Sequence, residues 1–388
     1  MGTGAPRSAV VIGGNFAGLS AAIALRRAGF EATVYERAPD VATLQAARGS
    51  MHQYPNSAKA CRVLGAADRV LERGVRWLHW ESWTRQGRML GRWNLVELEQ
   101  TMGDPTIMIY RRDLHQALLE TLGELDGDAV RTGVRCIGFE QDDRGVTVRF
   151  EGAEDVRADL LVGADGLKST VRAQLHGPGE LRPTSGVNIS GGTVVAEPVM
   201  PVGTSRIYWG RGTQVGLNQI KDDRVTWFLR TVHSKGQTDV EQAAALVRDW
   251  AEPVPRVLAE TDPETAGGFE LFDRAPLEWW GKGRVTLAGD AAHAMLNTLS
   301  QGAAMSIEDA AVLNLTLQDR GVSDLPGALR AYEQRRLPRT TSFVKRSRSM
   351  GNIALLNNPI GCSLRNTFVA LGNNFVWSRT KRAAAESF

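Results

Sequence analysis

Three apolar runs that each end on glycine or an acid, set far apart in a chain of 388 residues, restrict the possible folds more than any other feature. The fullest lies within Gly283–Ala310, GRVTLAGDAAHAMLNTLSQGAAMSIEDA. Arg284–Ala288 reads as a buried strand, Gly289 and Asp290 open a loop, and a long helix is expected from about Gly302. An acid at a strand end accepts hydrogen bonds from sugar-like hydroxyls, while a helix start offers free N–H groups and a positive dipole end to an anion. Together they suit a polyol chain that ends in an electron-accepting ring.

At the other end of the chain, Ser8–Ile12 reads as a buried strand, Gly13–Gly18 as a tight turn, Leu19–Ala28 as a helix, and Ala32–Tyr35 as a second strand closing on Glu36. This is the order of a dinucleotide fingerprint: turn glycines, a diphosphate at the helix start, and an acid further on for a ribose hydroxyl. The turn is spelled GGNFAG, with Asn15 where the second glycine belongs. Asparagine is the next most tolerant residue of unusual backbone angles. The third run, in Asp159–Arg172, ends in Gly163-Ala164-Asp165-Gly166 before another helix. Three such ends would line one crevice at the carboxyl edge of a parallel sheet.

Two stretches shift toward β structure. Residues 73–100 carry Trp77, Trp80, Trp83 and Trp93, and residues 185–232 read as strands Val187–Ile189, Thr193–Ala196, Ser205–Trp209, Gln214–Ile220 and Val225–Thr231. Residues 240–260 read as helical, and the chain returns to the first unit at Ala275. From Ala328 a helix is expected to carry the basic run Arg335–Arg339 on a solvated face, followed by an amphipathic stretch to Trp377.

The length predicts two intertwined domains. A net charge of +3, without a long basic block or basic–aromatic array, argues against a nucleic-acid partner. Cys61, Cys136 and Cys362 have neither metal-ligand nor disulfide spacing, so no metal site and a reducing, cytoplasmic setting are expected. The first strand begins too early for a signal peptide, and no apolar run is long enough for a membrane span.

The ordered set of GGNFAG with Glu36-Arg37, YRRDLH (110–115), VGADG (162–166), AGDAAH (288–293) and SQGAAMSIEDA (300–310) resembles the single-component FAD-dependent aromatic hydroxylases of the para-hydroxybenzoate hydroxylase type. More narrowly, it is similar to the salicylate and 6-hydroxynicotinate hydroxylase branch. The resemblance runs from residue 8 to about 345. It implies an α/β fold in which a glutathione-reductase-type Rossmann FAD-binding domain (1–72, 101–184 and 268–345) carries an inserted mixed β-sheet substrate domain (73–100 and 185–267), followed by a C-terminal helical tail (346–388).

It also implies roles. The turn over Gly13, Gly14, Asn15, Ala17 and Gly18 would hold the ADP diphosphate, Glu36 the adenosine ribose, and Arg37 and the backbone at Val134 would lie by the adenine. Arg111 would reach the FAD, Asp165 would serve both FAD and NAD(P)H, and Gly289-Asp290 would hold the ribitol. The N–H groups of Gly302 and Ala303 would face the N1–C2=O edge of the isoalloxazine. Three departures stand near the ring: Asn297 and Ser300 replace a family proline and glycine, and a proline on the roofing strand is missing from Leu217–Ile220.

The implied activity is hydroxylation of a phenol or N-heteroaromatic through a C4a-hydroperoxyflavin. FAD would be held tightly without a covalent bond, NADPH or NADH would bind transiently, and O2 would supply the oxygen. His52 aligns with a pocket histidine of the hydroxynicotinate branch and is the candidate catalytic or substrate-contacting residue, with Tyr208 beside it; Leu217, Gln219, His233 and Thr298 are further pocket candidates. His293 is expected to shape the loop after Asp290, and His79, His115 and His176 to be packing or surface residues. A monomer or homodimer acting on a small aromatic molecule is expected. The alternative is a non-oxygenating flavoprotein of the same fold that uses FAD as a scaffold for cyclisation or ligand binding.

Overall fold

Runs of apolar residues with no polar alternation, such as Ala9–Ile12 and Leu160–Gly163, are stable as strands only where both faces are covered. In the computed structural model, which describes residues 7–46, 49–195, 197–221, 223–234 and 239–371, they form the middle of a five-stranded parallel sheet. Its order is Val285–Leu287, Leu160–Gly163, Arg7–Ile12, Phe30–Tyr35 and Val130–Arg131. The register pairs Ile12 with both Gly163 and Tyr35, and Gly163 with Leu287. Every acid-bearing or glycine-bearing strand end therefore reaches the same edge. Helix Phe16–Arg27 and the long helix Gly302–Arg320 pack together beside this sheet, and Asn314 Nδ2 donates to Ala24 O across them at 2.9 Å.

The first helix begins at Phe16, three residues before the expected start at Leu19, because Asn15 is its N-cap and its Oδ1 accepts from the Phe16 N–H at 2.8 Å. An asparagine is well suited to that position. Gly13 and Gly18 are required by space. A Cβ at Gly18 would lie 1.7 Å from Gly13 O, and one at Gly13, whose φ is +106°, would lie 2.4 Å from Ala164 O.

The Trp-rich segment and the later strands share one seven-stranded mixed sheet, ordered Gly267–Asp273, Arg182–Val194, Arg224–Thr231, Thr213–Lys221, Thr204–Trp209, His79–Thr84 and Met89–Asn94. All its pairs are antiparallel except Thr204–Trp209 with His79–Thr84. Where two strands were expected on either side of Gly191-Gly192, one strand runs from Arg182 to Val194; the end of the second, Ala196, lies outside the described residues. The reason is the Trp227 ring, which sits 3.0 Å from where a Gly191 Cβ would be. The glycine makes room for an indole rather than a turn. The expected divisions at 267/268 and 345/346 fall at the first residues of an edge strand of this sheet, Gly267–Asp273, and inside helix Leu325–Ala354.

Strand periodicity gives this sheet two different faces. One face packs Tyr208, Val215, Leu217, Trp227 and Leu229 against Val240, Ala243, Val254 and Val257 of helices Val240–Leu246 and Val254–Ala259. The other carries Ser205, Ile207, Trp209, Gln214, Asn218, Thr226, Phe228 and Arg230, and turns toward the parallel-sheet unit.

One expectation about the C-terminal region is overturned. Arg336, placed on a solvated face with its basic neighbours, is 1% exposed and pairs with Glu308 (Nη1–Oε1, 2.5 Å) and Asp309 (Nε–Oδ1, 2.8 Å) of the long helix. Two buried carboxylates require counter-charge, and Arg336 supplies it together with Arg339, whose Nε lies 2.6 Å from Glu308 Oε1. Helix Pro359–Leu371 follows, and the remainder of the expected amphipathic stretch, to Trp377, lies outside the described residues. Among the described residues no helix is long and apolar enough to cross a membrane, and no group of side chains has the makings of a metal site.

Candidate active site

The parallel register brings four distant segments to one recess. Its far end is built from backbone. Glu36 accepts from the Gly14 N–H (2.6 Å) and, with its other oxygen, from the Ala38 N–H (2.7 Å), while Val134 N donates to Glu36 O at 2.9 Å. His115 is buried and donates from Nε2 to Gly14 O at 2.9 Å, bracing the turn from behind. Arg37 is exposed beside them.

In the middle, Gly289 adopts a φ of +61°, and a Cβ there would lie 2.5 Å from Ala17 Cβ, so the N-terminal turn and the Gly289-Asp290 loop abut. Asp290 is exposed at the start of its loop; desolvation by the surrounding protein raises its pKa, and His293 and Arg111 pull it back. Arg111 lies near Asp290, with its guanidinium 5.2 Å from the Phe16 ring centre. Asp165 has its oxygens on Ser169 Oγ (2.5 Å) and the Thr170 N–H (2.6 Å) and so caps the helix Thr170–His176. Burial raises its pKa, and these hydrogen bonds oppose the rise.

At the near end, helix Gly302–Arg320 starts without a side-chain cap, and nothing lies within 4 Å of where a Gly302 Cβ would be. The first N–H groups of this 19-residue helix thus take no side-chain cap, and they carry its positive dipole end. Beneath this loop, Asp309 accepts from the Gly289 N–H at 2.9 Å and pairs with His293 Nε2 at 2.6 Å. Glycines that clear a path, an acid at a strand end and an uncapped helix start are chemically suited to a diphosphate, a polyol and a negatively charged group.

Among the substrate-site candidates, His52 stands between the two units. Its Nε2 lies 3.1 Å from both Ser205 Oγ and Asn218 Oδ1 on the mixed sheet, its Nδ1 lies 3.4 Å from Ser300 Oγ on the loop before the long helix, and Trp77 stacks on its ring at 4.1 Å. Burial lowers its pKa to about 4 against a raising hydrogen bond from Asn218, so it is neutral at ordinary pH. Thr298 sits on the same loop and donates to Ser347 O at 2.5 Å.

The structure separates Tyr208, Leu217 and Gln219 from this group. Leu217 and Gln219 alternate with Asn218, and Tyr208 with Ile207 and Trp209, so all three lie on the face turned away from the recess. Tyr208 stacks on Trp83, and Gln219 binds Val199 N and Lys221 O. His233 lies beyond the end of strand Arg224–Thr231, exposed, with Nε2 on Arg211 O at 2.9 Å. The aromatic and polar character of these residues is visible in the sequence, but strand parity decides their face.

Parity would have found the residues that were missed. Ser205, Asn218 and Arg230 share the recess-facing side. Arg230 is 6% exposed and burial lowers its pKa to about 10, which still leaves it charged.

Known proteins resemble this chain over most of its length. A family model described as FAD binding domain matches residues 7–347. The 3-amino-4-hydroxybenzoate 2-monooxygenase PtmB3 of Streptomyces platensis is 38% identical over 366 residues, covering 89% of this chain and 88% of that protein. The Aurachin C monooxygenase/isomerase of Stigmatella aurantiaca is 31% identical over 378 residues, 96% of each. The crystal structure of Klebsiella pneumoniae HpxO complexed with FAD and uric acid superposes with a TM-score of 0.87 at 27% identity, covering 98% of this chain and 96% of that one. The chain belongs to the FAD binding domain family, among its flavin-dependent aromatic monooxygenases.

Proposed function

We propose that this chain hydroxylates a small phenolic or N-heteroaromatic ring, using NADH or NADPH and O2, with FAD lying non-covalently along the recess from Gly13 to Gly302. The carrying observation is that Arg111 lies near Asp290, and that Gly289 abuts both Ala17 of the N-terminal turn and Ser306, one turn into the helix that starts uncapped at Gly302. FAD would supply the chemistry: it takes a hydride from the nicotinamide and delivers oxygen to an electron-rich ring.

The protein's part is to bind, orient and keep out water. Gly13, Gly14, Asn15, Ala17 and Gly18 would take the diphosphate, Glu36 the ribose, Arg37 and the Val134 backbone the adenine side, and Asp290 with Gly289 the ribitol. The N–H groups of Gly302 and Ala303 would favour negative charge on the ring edge. Arg111 would neutralise the acid-rich middle, and Asp165 would hold the shape of the loop shared with the nicotinamide. His52, neutral and fixed by Asn218, would orient a ring hydroxyl or nitrogen through hydrogen bonds from the Ser205–Asn218 side, and Thr298 would stiffen the floor. With so low a pKa it is a poor proton store, so the substrate's own acidity would provide the activated ring. The relatives that act on an aminohydroxybenzoate and on urate, both electron-rich rings, support this substrate class. A cytoplasmic monomer or homodimer fits the reading.

The test is reduction of the purified protein by NADPH and by NADH with a panel of phenols, hydroxypyridines and quinolones. The expected result is a yellow protein in which one ligand class accelerates bleaching at least tenfold, with matching O2 uptake. Ligand binding with no O2 uptake would select the scaffold alternative, and a colourless protein that refuses added FAD would end both readings.

A further inference from the structure

The segment that leads into the flavin-facing helix, Asn297–Gln301, contains neither proline nor glycine. It is nevertheless held in one shape, because Ser300 sits at a φ of +53°, a left-handed conformation that a non-glycine residue keeps only when its surroundings over-determine it. The determinants are polar. Arg230 Nη2 donates to Asn297 Oδ1 at 2.9 Å and to Asn297 O at 3.3 Å, Asn56 Nδ2 donates to Gln301 Oε1 at 3.2 Å, and Thr298 and Ser300 reach Ser347 O and His52.

The grip on Asn297 differs from the others in carrying charge. Arg230 stacks over the Phe228 ring at 4.4 Å and gives its other bonds to Gln214 Oε1 (2.8 Å) and Asn188 Oδ1 (3.3 Å), all neutral acceptors. The buried Arg336 pairs with two carboxylates; among the described residues no ion pair is formed by Arg230. A cation kept in the interior without a counter-ion is costly unless its hydrogen bonds are made, so their directions are strongly specified.

We propose that Arg230 is a positioning residue for the redox ring: by gripping both oxygens of Asn297 it fastens the loop before Gly302 to the mixed sheet, and so fixes where the first N–H groups of the long helix point. The role rests on the FAD reading above, but the latch itself does not. Proline offers a second way to fix the same position. Asn297 is the first residue of a short 3-10 turn, and Leu296 before it has φ −66° and ψ 148°, the extended geometry that a following proline demands.

The variants are R230Q, N297A, N297P and the doubles R230Q/N297A and R230Q/N297P. The readouts are hydrogen exchange of the backbone over 295–303, with and without FAD, and the visible spectrum of bound FAD. R230Q and N297A are each expected to raise exchange about tenfold, as for loss of one charge-assisted hydrogen bond, and to alter the flavin band alike. The double R230Q/N297A should be no worse than either single, and N297P should restore R230Q in both readouts. Exchange at the wild-type level in R230Q, additive effects in R230Q/N297A, or failure of N297P to rescue would overturn the latch. N297A removes only Oδ1 and carries the test if R230Q does not fold. If the protein binds no FAD, the function fails while the exchange measured without FAD still decides the latch.

Discussion

In the N-terminal turn, Gly13–Gly18 is shaped by the absence of side chains: a single methyl group at Gly18 would collide with Gly13 O. In the loop before Gly302, Asn297–Gln301 is shaped by their presence, with amide, hydroxyl and guanidinium groups holding a loop that has no glycine of its own. The two devices respond differently to change. Close packing fails at once when volume is added, whereas a set of hydrogen bonds loses one member at a time.

Gly18→Ala is the strongest way to break the contrast. With its Cβ 1.7 Å from a backbone oxygen, it is expected to destabilise the protein by several kcal/mol (about 3 or more) and to abolish FAD retention, as checked by thermal melting and by the colour of the purified protein. Arg336→Met tests the charged support under the loop before Gly302. With Arg336 gone, Glu308 keeps Arg339 and Asp309 keeps His293, so the loss of the buried guanidinium should cost about 3 kcal/mol in denaturant unfolding, and a companion change of both acids to their amides should recover part of it.

His52 sharpens the comparison through pH. Its folded pKa, about 4, lies below the unfolded value near 6.5. The unfolded chain therefore binds the extra proton between these values, and stability that is whole above pH 6.5 falls as the pH drops toward 4, by up to about 3 kcal/mol. His52→Gln should flatten that part of the stability–pH curve, and a curve of unchanged slope would show that the ring is not buried as described. Asp290→Ala is expected to weaken FAD binding by about tenfold to a hundredfold, the worth of a charge-assisted hydrogen bond, measured by titration of FAD-free protein. The smallest effect belongs to Tyr208→Phe. On the far face of the sheet it should leave kcat/KM within about twofold, whereas Ser205→Ala and Asn218→Ala, on the recess side, should not.

The same contrast explains what could be read from the sequence. Glycine and strand-end acids announce themselves because few other residues can do their work, so the parallel sheet, the recess and the helix start at Gly302 were all legible. The mixed sheet was legible as strands but not as faces: Tyr208 and Gln219 have the chemistry of pocket residues, and only the pairing of Ser205 with Asn218 shows which side meets His52. Arg230 and Arg336 were hidden for a related reason. Both sit in stretches whose ordinary reading is a solvated or edge-facing basic residue, and their burial depends on partners distant in sequence, Asn297 for one and Glu308-Asp309 for the other.

Helix Leu325–Ala354 runs past both units: Tyr332 OH donates to Leu287 O, Arg336 pairs with Glu308 and Asp309, Ser347 O receives Thr298, and Ala354 packs beside Ile207 and Trp209. During synthesis this splint leaves the ribosome long after the turn at Gly13. The nascent polypeptide can assemble its parallel strands early, yet the carboxylates under Gly289 wait for Arg336. Cofactor loading is therefore expected only after Arg336 has been made, and a chain cut short before it would carry every described strand but lack that counter-charge.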